Sequence, residues 1–268
     1  RLLCGDSTDG ASVARVMDNE RATLLFTSPP YGQQRNYTTG GIADWDGLMN
    51  GVFAAAECAL APSAQVLVNL GMVHREGEWQ PYWQNWLDWM RAQGWRRFGL
   101  YVWDQGPGLP GNWSGRLAPS FELIFHFNRE AQRANKIVPC KHAGAVYKHR
   151  KGLRKKDGSV PEWDTAGQGV QDMRIPDNVL RINRQHPSGI ETDHPAIFPV
   201  KLPAFVMEAY ADDGEVIFEP FAGAGTSILA GARAMRRVRA LEIAPEYVDL
   251  AIARWRKAYP DAPVTLAE

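Results

Sequence analysis

The chain has 268 residues, 45% of them hydrophobic, and its 30 basic side chains match its 30 acidic ones. That is enough apolar material for one large α/β core with an inserted smaller lobe, and no run approaches the roughly 20 apolar residues of a membrane span. No signal-peptide pattern is visible, and Cys4, Cys58 and Cys140 are too scattered for a Cys-x-x-Cys or zinc set, so no metal and a reduced, cytoplasmic setting are expected.

In chain order, Leu2-Leu3-Cys4 is a short apolar run closing at Gly5-Asp6-Ser7. Ala22 to Phe26 is a second, and it runs into Thr27-Ser28-Pro29-Pro30-Tyr31. Phe53 to Leu60 has helical spacing and Val66 to Leu70 reads as a buried strand. Trp79 to Gln93 predicts a helix stopped by Gly94, with Trp79, Trp83, Trp86 and Trp89 along one buried face. Phe98 to Trp103 and Phe121 to Phe127 are strand-like, separated by the Gly/Pro-rich stretch Gln105 to Pro119.

Residues 129–190 break this rhythm, with Gly, Pro, Asp and Asn clusters and no sustained periodicity. From Arg129 to Lys156 there are ten basic residues and one acidic residue, Glu130, a local excess of nine (10 − 1). A phosphate backbone explains that concentration by counterion release, whereas a plain solvated loop leaves it unexplained. Lys148, Arg150, Lys151, Arg154, Lys155 and Lys156 are the candidate phosphate contacts.

Regular elements then resume. Leu202 to Tyr210 predicts a helix, Glu215 to Phe218 a strand, Ser227 to Met235 a helix, Arg239 to Ile243 a strand and Tyr247 to Tyr259 a final helix. Alternating buried strands and helices indicate a doubly wound α/β fold: a mostly parallel, Rossmann-like sheet covered by helices on both faces. Three segments follow: 1–128 as one half of the main domain, 129–190 as an inserted recognition region and 191–268 as the other half.

The second half carries a nucleotide-type signature. Glu219-Pro220-Phe221-Ala222-Gly223-Ala224-Gly225-Thr226-Ser227 follows a strand and opens a helix. Gly223 and Gly225 let the backbone turn close to a ligand, and the helix start offers N–H groups to an anion. Thr226 and Ser227 add hydroxyls, and Glu242, ending the next strand, suits a ribose diol. A dinucleotide fits less well, because Ile228 occupies the third small position of the G-x-G-x-x-G/A pattern.

These segments resemble the β class of DNA amino-methyltransferases, in which the Pro-Pro-aromatic motif precedes the glycine motif. The resemblance spans nearly the whole chain. Ser28-Pro29-Pro30-Tyr31 is similar to the family's catalytic motif IV, and Glu219 to Ser227 to motif I. His194-Pro195-Ala196-Ile197-Phe198-Pro199 is similar to motif X, and Gly5-Asp6-Ser7 to motif III. It implies a methyltransferase fold with S-adenosylmethionine as cofactor, held by Asp6, Phe198, Pro199, Glu219, Phe221, Ala222, Gly223, Gly225, Thr226, Ser227 and Glu242. It also implies double-stranded DNA as substrate.

Methyl transfer to an exocyclic NH2 requires that the nitrogen lone pair be drawn out of conjugation by acceptors for both N–H hydrogens. Ser28 Oγ and the Pro29 carbonyl suit that role, prolines 29 and 30 stiffen the turn, and Tyr31 offers a ring to stack on a flipped base. Serine at the head of this motif is commoner among N4-cytosine enzymes and Asp or Asn among N6-adenine enzymes, which leaves both bases open. Similar Pro-Pro-Tyr segments occur in protein-glutamine methyltransferases, but after the glycine motif. An RNA amino-methyltransferase and a DNA-binding regulator without turnover are the remaining alternatives. Family members are often homodimers, and aromatics around Trp79 to Trp89 would supply such an interface.

Overall fold

The computed structural model describes residues 1–31, 44–147, 152, 154–161, 167–184 and 198–266. The elements in chain order are β1 (Leu2–Cys4), α1 (Gly10–Met17), β2 (Ala22–Thr27), α2 (Trp45–Ala56), β3 (Leu60–Leu70), β4 (Val73–Arg75), β5 (Glu78–Gln80), α3 (Gln84–Ala92), β6 (Arg96–Asp104), β7 (Phe121–Asn128), β8 (Val138–Pro139), β9 (Met173–Arg174), β10 (Val179–Arg181), α4 (Lys201–Tyr210), β11 (Val216–Glu219), α5 (Thr226–Arg233), β12 (Arg237–Glu242) and α6 (Pro245–Ala258). Two compact units result, residues 1–133 with 178–268, and residues 134–177.

The larger unit is built on an eight-stranded sheet in the order β1-β12-β11-β2-β3-β7-β6-β10. From β1 to β3 the strands are parallel; β7 runs antiparallel to β3 and β6, and β10 is parallel to β6. This is the mostly parallel α/β architecture that alternating apolar segments predict. Side chains alternate between faces with period two, which sorts the core into two layers. Leu25, Val66, Val68 and Phe218 meet α1, α2 and α3 through Val13, Met49, Phe53 and Trp86. Leu24, Phe26, Leu67 and Ile217 meet α4 and α5 through Leu202, Val206, Leu229 and Ala230. No described helix is long and apolar enough to cross a membrane.

Several local expectations change. Trp79 to Gln93 is not one helix: Glu78–Gln80 pairs with Val73–Arg75 as a hairpin, and the helix starts at Gln84. Glu76 and Gly77 both have positive φ (53° and 83°), the two-residue turn that suits a hairpin, so turn geometry overrides the helical spacing of the tryptophans. Trp83 and Trp86 are buried as expected, but Trp79 on the hairpin is 48% exposed. The helix read at Phe53–Leu60 begins earlier, at Trp45, capped by Asp44, and Leu60 already belongs to β3. Helix α1 carries a helix-start signal that a search for longer apolar runs passes over: Asp9 accepts from the Ala11 and Ser12 amides, and Val13, Val16 and Met17 form one buried stripe.

The smaller unit is narrower than 129–190. Residues 178–182 leave it, because Val179–Arg181 pairs with Val102–Asp104 at the sheet edge. Within it the limbs 138–147 and 167–174 run antiparallel, through β8 and β9, the Val146–Gly169 bridge and the Gly144–Val170 and Gly167–Tyr147 backbone bonds. Farther out, Lys155 N donates to the Ser159 carbonyl and Arg154 Nε to the Gly158 carbonyl, a tight turn that carries Arg154, Lys155 and Lys156 exposed. Lys148, Arg150 and Lys151 lie outside the described residues, as do His194 to Ile197.

Candidate active site

Five adjacent parallel strands, β1, β12, β11, β2 and β3, end on one edge of the sheet. From β11 the chain proceeds outward to β12, and from β2 it proceeds in the opposite direction to β3. The carboxyl ends of β11 and β2 therefore flank a topological switch point, where open α/β sheets form their ligand crevices. Ile217 pairs with Leu24 and Phe218 with Leu25. That register brings Ser28–Tyr31 and Glu219–Gly225, nearly two hundred residues apart in sequence, to neighbouring strand ends.

A buried carboxyl group ties the two segments. Glu219 accepts from the hydroxyl of Thr27, from Ser227 Oγ at 2.7 Å and from the Phe221 amide at 3.1 Å. Burial raises its pKa to about 8 against those bonds, so it keeps its proton at neutral pH. Ser227 is thereby turned into the protein. Thr226 Oγ1 accepts from Arg254 Nη1 at 3.0 Å, and the same guanidinium donates to the Ala224 carbonyl. Neither residue's hydroxyl stands free in the way its place in the sequence suggested.

The glycine turn itself is open. Gly225 precedes α5 at φ 73° with no side-chain cap, so the first amides of the helix stay available to an anion. A Cβ at Gly225 would lie 2.7 Å from the Ala251 Cβ, so the position admits glycine on two grounds, backbone and space. Glu242, at the end of β12, accepts from the Gly223 amide at 2.7 Å and the Ala244 amide at 3.0 Å. The Ile243 amide faces the same carboxylate, and with three of its roughly four acceptor sites engaged one remains for a ligand hydroxyl. Burial raises its pKa above the ordinary carboxylate value. Asp6 Oδ1 is committed to the Thr8 amide and hydroxyl, both at 2.8 Å, while the Ser7 hydroxyl donates to the Pro220 carbonyl and fastens this turn to the glycine segment. Phe198 packs edge-on against Phe26, with ring centroids 6.1 Å apart, and Pro199 is buried at the start of α4.

On the other side of the switch point, Trp45 Nε1 donates to the Pro30 carbonyl at 2.7 Å, fixing the Pro-Pro turn to the start of α2. The Pro29 carbonyl has no partner among the described residues. Ser28 Oγ lies 3.0 Å from Tyr31 Oη, which donates to Glu122 Oε2 at 2.7 Å. Asn69 Nδ2 reaches the same three groups: Glu122 Oε2 at 2.6 Å, Tyr31 Oη at 2.9 Å and Ser28 Oγ at 3.3 Å. Burial, and then the neighbouring carboxylate of Glu122, raises the Tyr31 pKa, so the phenol stays protonated. A flank of the Tyr31 ring rests on Gly71, where a Cβ would come within 2.5 Å of Cε2.

Asn69, Glu122 and Arg254 were not among the residues expected from sequence. A signal existed for the first two: each interrupts a short apolar run, Val-Leu-Val-Asn-Leu and Phe-Glu-Leu-Ile-Phe. Asn69 pairs with Ile124, and Glu122, two residues away, shares its face of the sheet. No three His, Cys, Asp or Glu side chains converge as a metal set among the described residues.

This geometry agrees with what the chain is similar to. The profile of a family described as DNA methylase, of the N6/N4 methyltransferase type, matches residues 22–253. The orphan methyltransferase M.BamHII of Bacillus amyloliquefaciens is 33% identical over 147 residues, which is 50% of this chain and 53% of that protein. The type II methyltransferase M.PvuII of Proteus hauseri is 31% identical over 91 residues, 30% of this chain and 27% of that protein. The matches thus span about half or less of these relatives' own length. Among solved structures, the cytosine-N4-specific PvuII DNA methyltransferase superposes with a TM-score of 0.62 at 18% identity, covering 99% of this chain and 87% of the other. The M1.HpyAVI–SAM complex does so with a TM-score of 0.59 at 14% identity, covering 95% and 98%. At those identities the structures speak for the fold.

Proposed function

The chain belongs to the N6/N4 DNA methylase family, and we propose that it transfers a methyl group from S-adenosylmethionine to the exocyclic amino group of a base flipped out of double-stranded DNA. The observation that carries this reading is the pairing of β2 with β11, which sets the Ser28 segment beside the glycine turn across a switch point.

The residues present suit the cofactor. The uncapped start of α5 offers amides to its carboxylate, Glu242 has acceptor capacity for a ribose hydroxyl, and the cradle at Gly225 has no room for a Cβ. Phe221, Ala222 and Gly223 line the turn; Asp6, Phe198 and Pro199 are assigned to its rim from their motifs. When bound, S-adenosylmethionine supplies an electrophilic methyl group on sulfur.

Ser28 Oγ and the Pro29 carbonyl then accept the two N–H hydrogens of the target, which localises the nitrogen lone pair and aims it. Pro29 and Pro30 hold these acceptors rigid. The ring of Tyr31, anchored through its hydroxyl, stacks on the base and replaces the stacking lost on flipping. Serine at the head of the segment favours cytosine N4 over adenine N6. Arg154, Lys155 and Lys156, with Lys148, Arg150 and Lys151, contact phosphates from the smaller unit. DNA as substrate and three free cysteines fit a cytoplasmic setting. Exposed Trp79 is the aromatic on which a homodimer contact would rest.

The test is nucleoside mass spectrometry on unmethylated DNA incubated with labelled S-adenosylmethionine. N4-methylcytosine is expected, and it should vanish in Ser28→Ala while cofactor affinity persists. N6-methyladenine would overturn the choice of base. Label confined to RNA, or absent from both nucleic acids, would overturn the DNA reading.

A further inference from the structure

Beyond the acceptors at Ser28 and Pro29, the site holds a carboxylate that the proposed reaction has not used. Glu122 sits on β7, the antiparallel neighbour of β3, and is half-buried. Its Oε2 accepts from both Tyr31 Oη and Asn69 Nδ2. We infer that Glu122 sets the direction of the hydrogen-bond chain Ser28–Tyr31–Glu122 and takes up, at its far end, the proton released by the methylated amino group. The inference rests on the proposed role of Ser28 as an acceptor.

The argument is one of hydrogen-bond polarity. Tyr31 donates to Glu122 Oε2, and a phenol has a single proton to give. The Tyr31 oxygen then presents lone pairs, and Ser28, 3.0 Å away, donates its own proton there. Asn69 Nδ2, a donor only, reinforces the same sense by spending its two hydrogens on the nearer oxygens, Glu122 Oε2 and Tyr31 Oη. Ser28 Oγ is left with a lone pair and no proton to offer on its free side. A neutral serine hydroxyl, which ordinarily rotates between donor and acceptor, becomes a fixed acceptor for the N–H of the target. Without Glu122 the chain has no anchor, and Ser28 can turn its proton toward the nitrogen lone pair it is meant to expose.

The same chain accounts for a proton. An amino nitrogen that has gained a methyl group carries one hydrogen too many and a positive charge. That N–H bond breaks as an O–H bond forms at Ser28, the Ser28 proton passes to Tyr31, and the Tyr31 proton passes to Glu122. Serine and tyrosine end as neutral hydroxyls, and the cationic charge cancels the carboxylate's. No group is oxidised or reduced. Glu122, part-exposed, returns the proton to water.

Glu122→Gln keeps shape and replaces the acceptor by an amide that can donate to Tyr31, reversing the chain. In single-turnover methylation, Glu122→Gln should lower the chemical rate roughly 10²- to 10⁴-fold, the scale of a proton-transfer contribution, with affinities for DNA and S-adenosylmethionine unchanged. Tyr31→Phe, which keeps the ring, should lose a similar factor, and the double variant no more than the worse single, since both cut one chain. Glu122→Asp should recover part of the rate. Independently of turnover, the Tyr31 13Cζ resonance should move in Glu122→Gln, because its hydrogen-bond acceptor is gone. An unmoved resonance, or an undiminished rate in Glu122→Gln while Ser28→Ala is dead, overturns this inference and leaves the proposed function standing. Full activity in Ser28→Ala overturns the proposed catalytic role of Ser28, and this inference with it.

Discussion

Gly225→Ala tests whether the glycine turn is held by geometry rather than by tolerance of any small residue. The native φ of 73° puts an L-alanine in the left-handed region, a cost of about 1–2 kcal/mol. The new Cβ would also lie 2.7 Å from the Ala251 Cβ and 3.3 Å from its Cα, and α6 cannot retreat without disturbing its packing on β12. Overpacking of that kind costs about 1–3 kcal/mol. The sum, about 2–5 kcal/mol, corresponds to a melting-temperature loss of roughly 5–15 °C for a domain of this size. The two contributions separate experimentally. Ala251→Gly alone should cost about 1 kcal/mol through helix propensity. Combined with Gly225→Ala it should remove the overlap, so the double variant is more stable than the sum of the singles, with the backbone cost remaining. Urea unfolding gives the stabilities and titration calorimetry the affinity for S-adenosylmethionine, which should weaken in Gly225→Ala because the first amides of α5 move. A melting temperature within about 2 °C of wild type, with unchanged cofactor affinity, would refute the reasoning.

Glu219 predicts a pH dependence. Its pKa is raised from 4.5 to about 8, so between those values the native state holds a proton that the unfolded chain has released. Stability must then fall as pH rises through that window, by a contribution of the order of a few kcal/mol, and Glu219→Gln should flatten that part of the curve in urea unfolding at about pH 5 and about pH 8. Gly71→Ala puts a Cβ 2.5 Å from Tyr31 Cε2, so methylation should fall while calorimetric cofactor affinity holds; an unaltered rate would mean that the ring position does not matter. Lys155→Ala with Lys156→Ala should reduce the slope of log K against log salt for DNA binding by about 1.8, and an unchanged slope would return that turn to a solvated loop.

Much of this protein was legible residue by residue, because the relevant chemistry is local. Proline at 29 and 30, glycine at 223 and 225 and the apolar run before each are properties of contiguous chain. They mark two strand ends, and the order in which they occur separates this chain from the protein-glutamine enzymes. Where local signals compete, spacing alone does not fix the element. The tryptophans at 79, 83, 86 and 89 have helical spacing, yet Glu76-Gly77 turns the chain back on itself and removes Trp79 from the helix.

Only tertiary structure decided which strand ends meet. Strand pairing is non-local, and periodicity reveals which face a side chain occupies but not whose side chains share it. Nothing in the apolar run 22–26 says that it lies between β11 and β3, the placement that puts Ser28 beside the glycine turn. For the same reason Glu122 reads in isolation as an outward polar residue of an apolar strand. Its place in a hydrogen-bond network becomes visible only when the antiparallel register of β7 on β3 sets it beside Asn69, and the Pro-Pro turn delivers the Tyr31 hydroxyl between them. The apolar pattern selects the architecture because burial depends on residue type; the hydrogen-bond network at the candidate site is a set of distances, and distances between remote segments exist only once the sheet has formed.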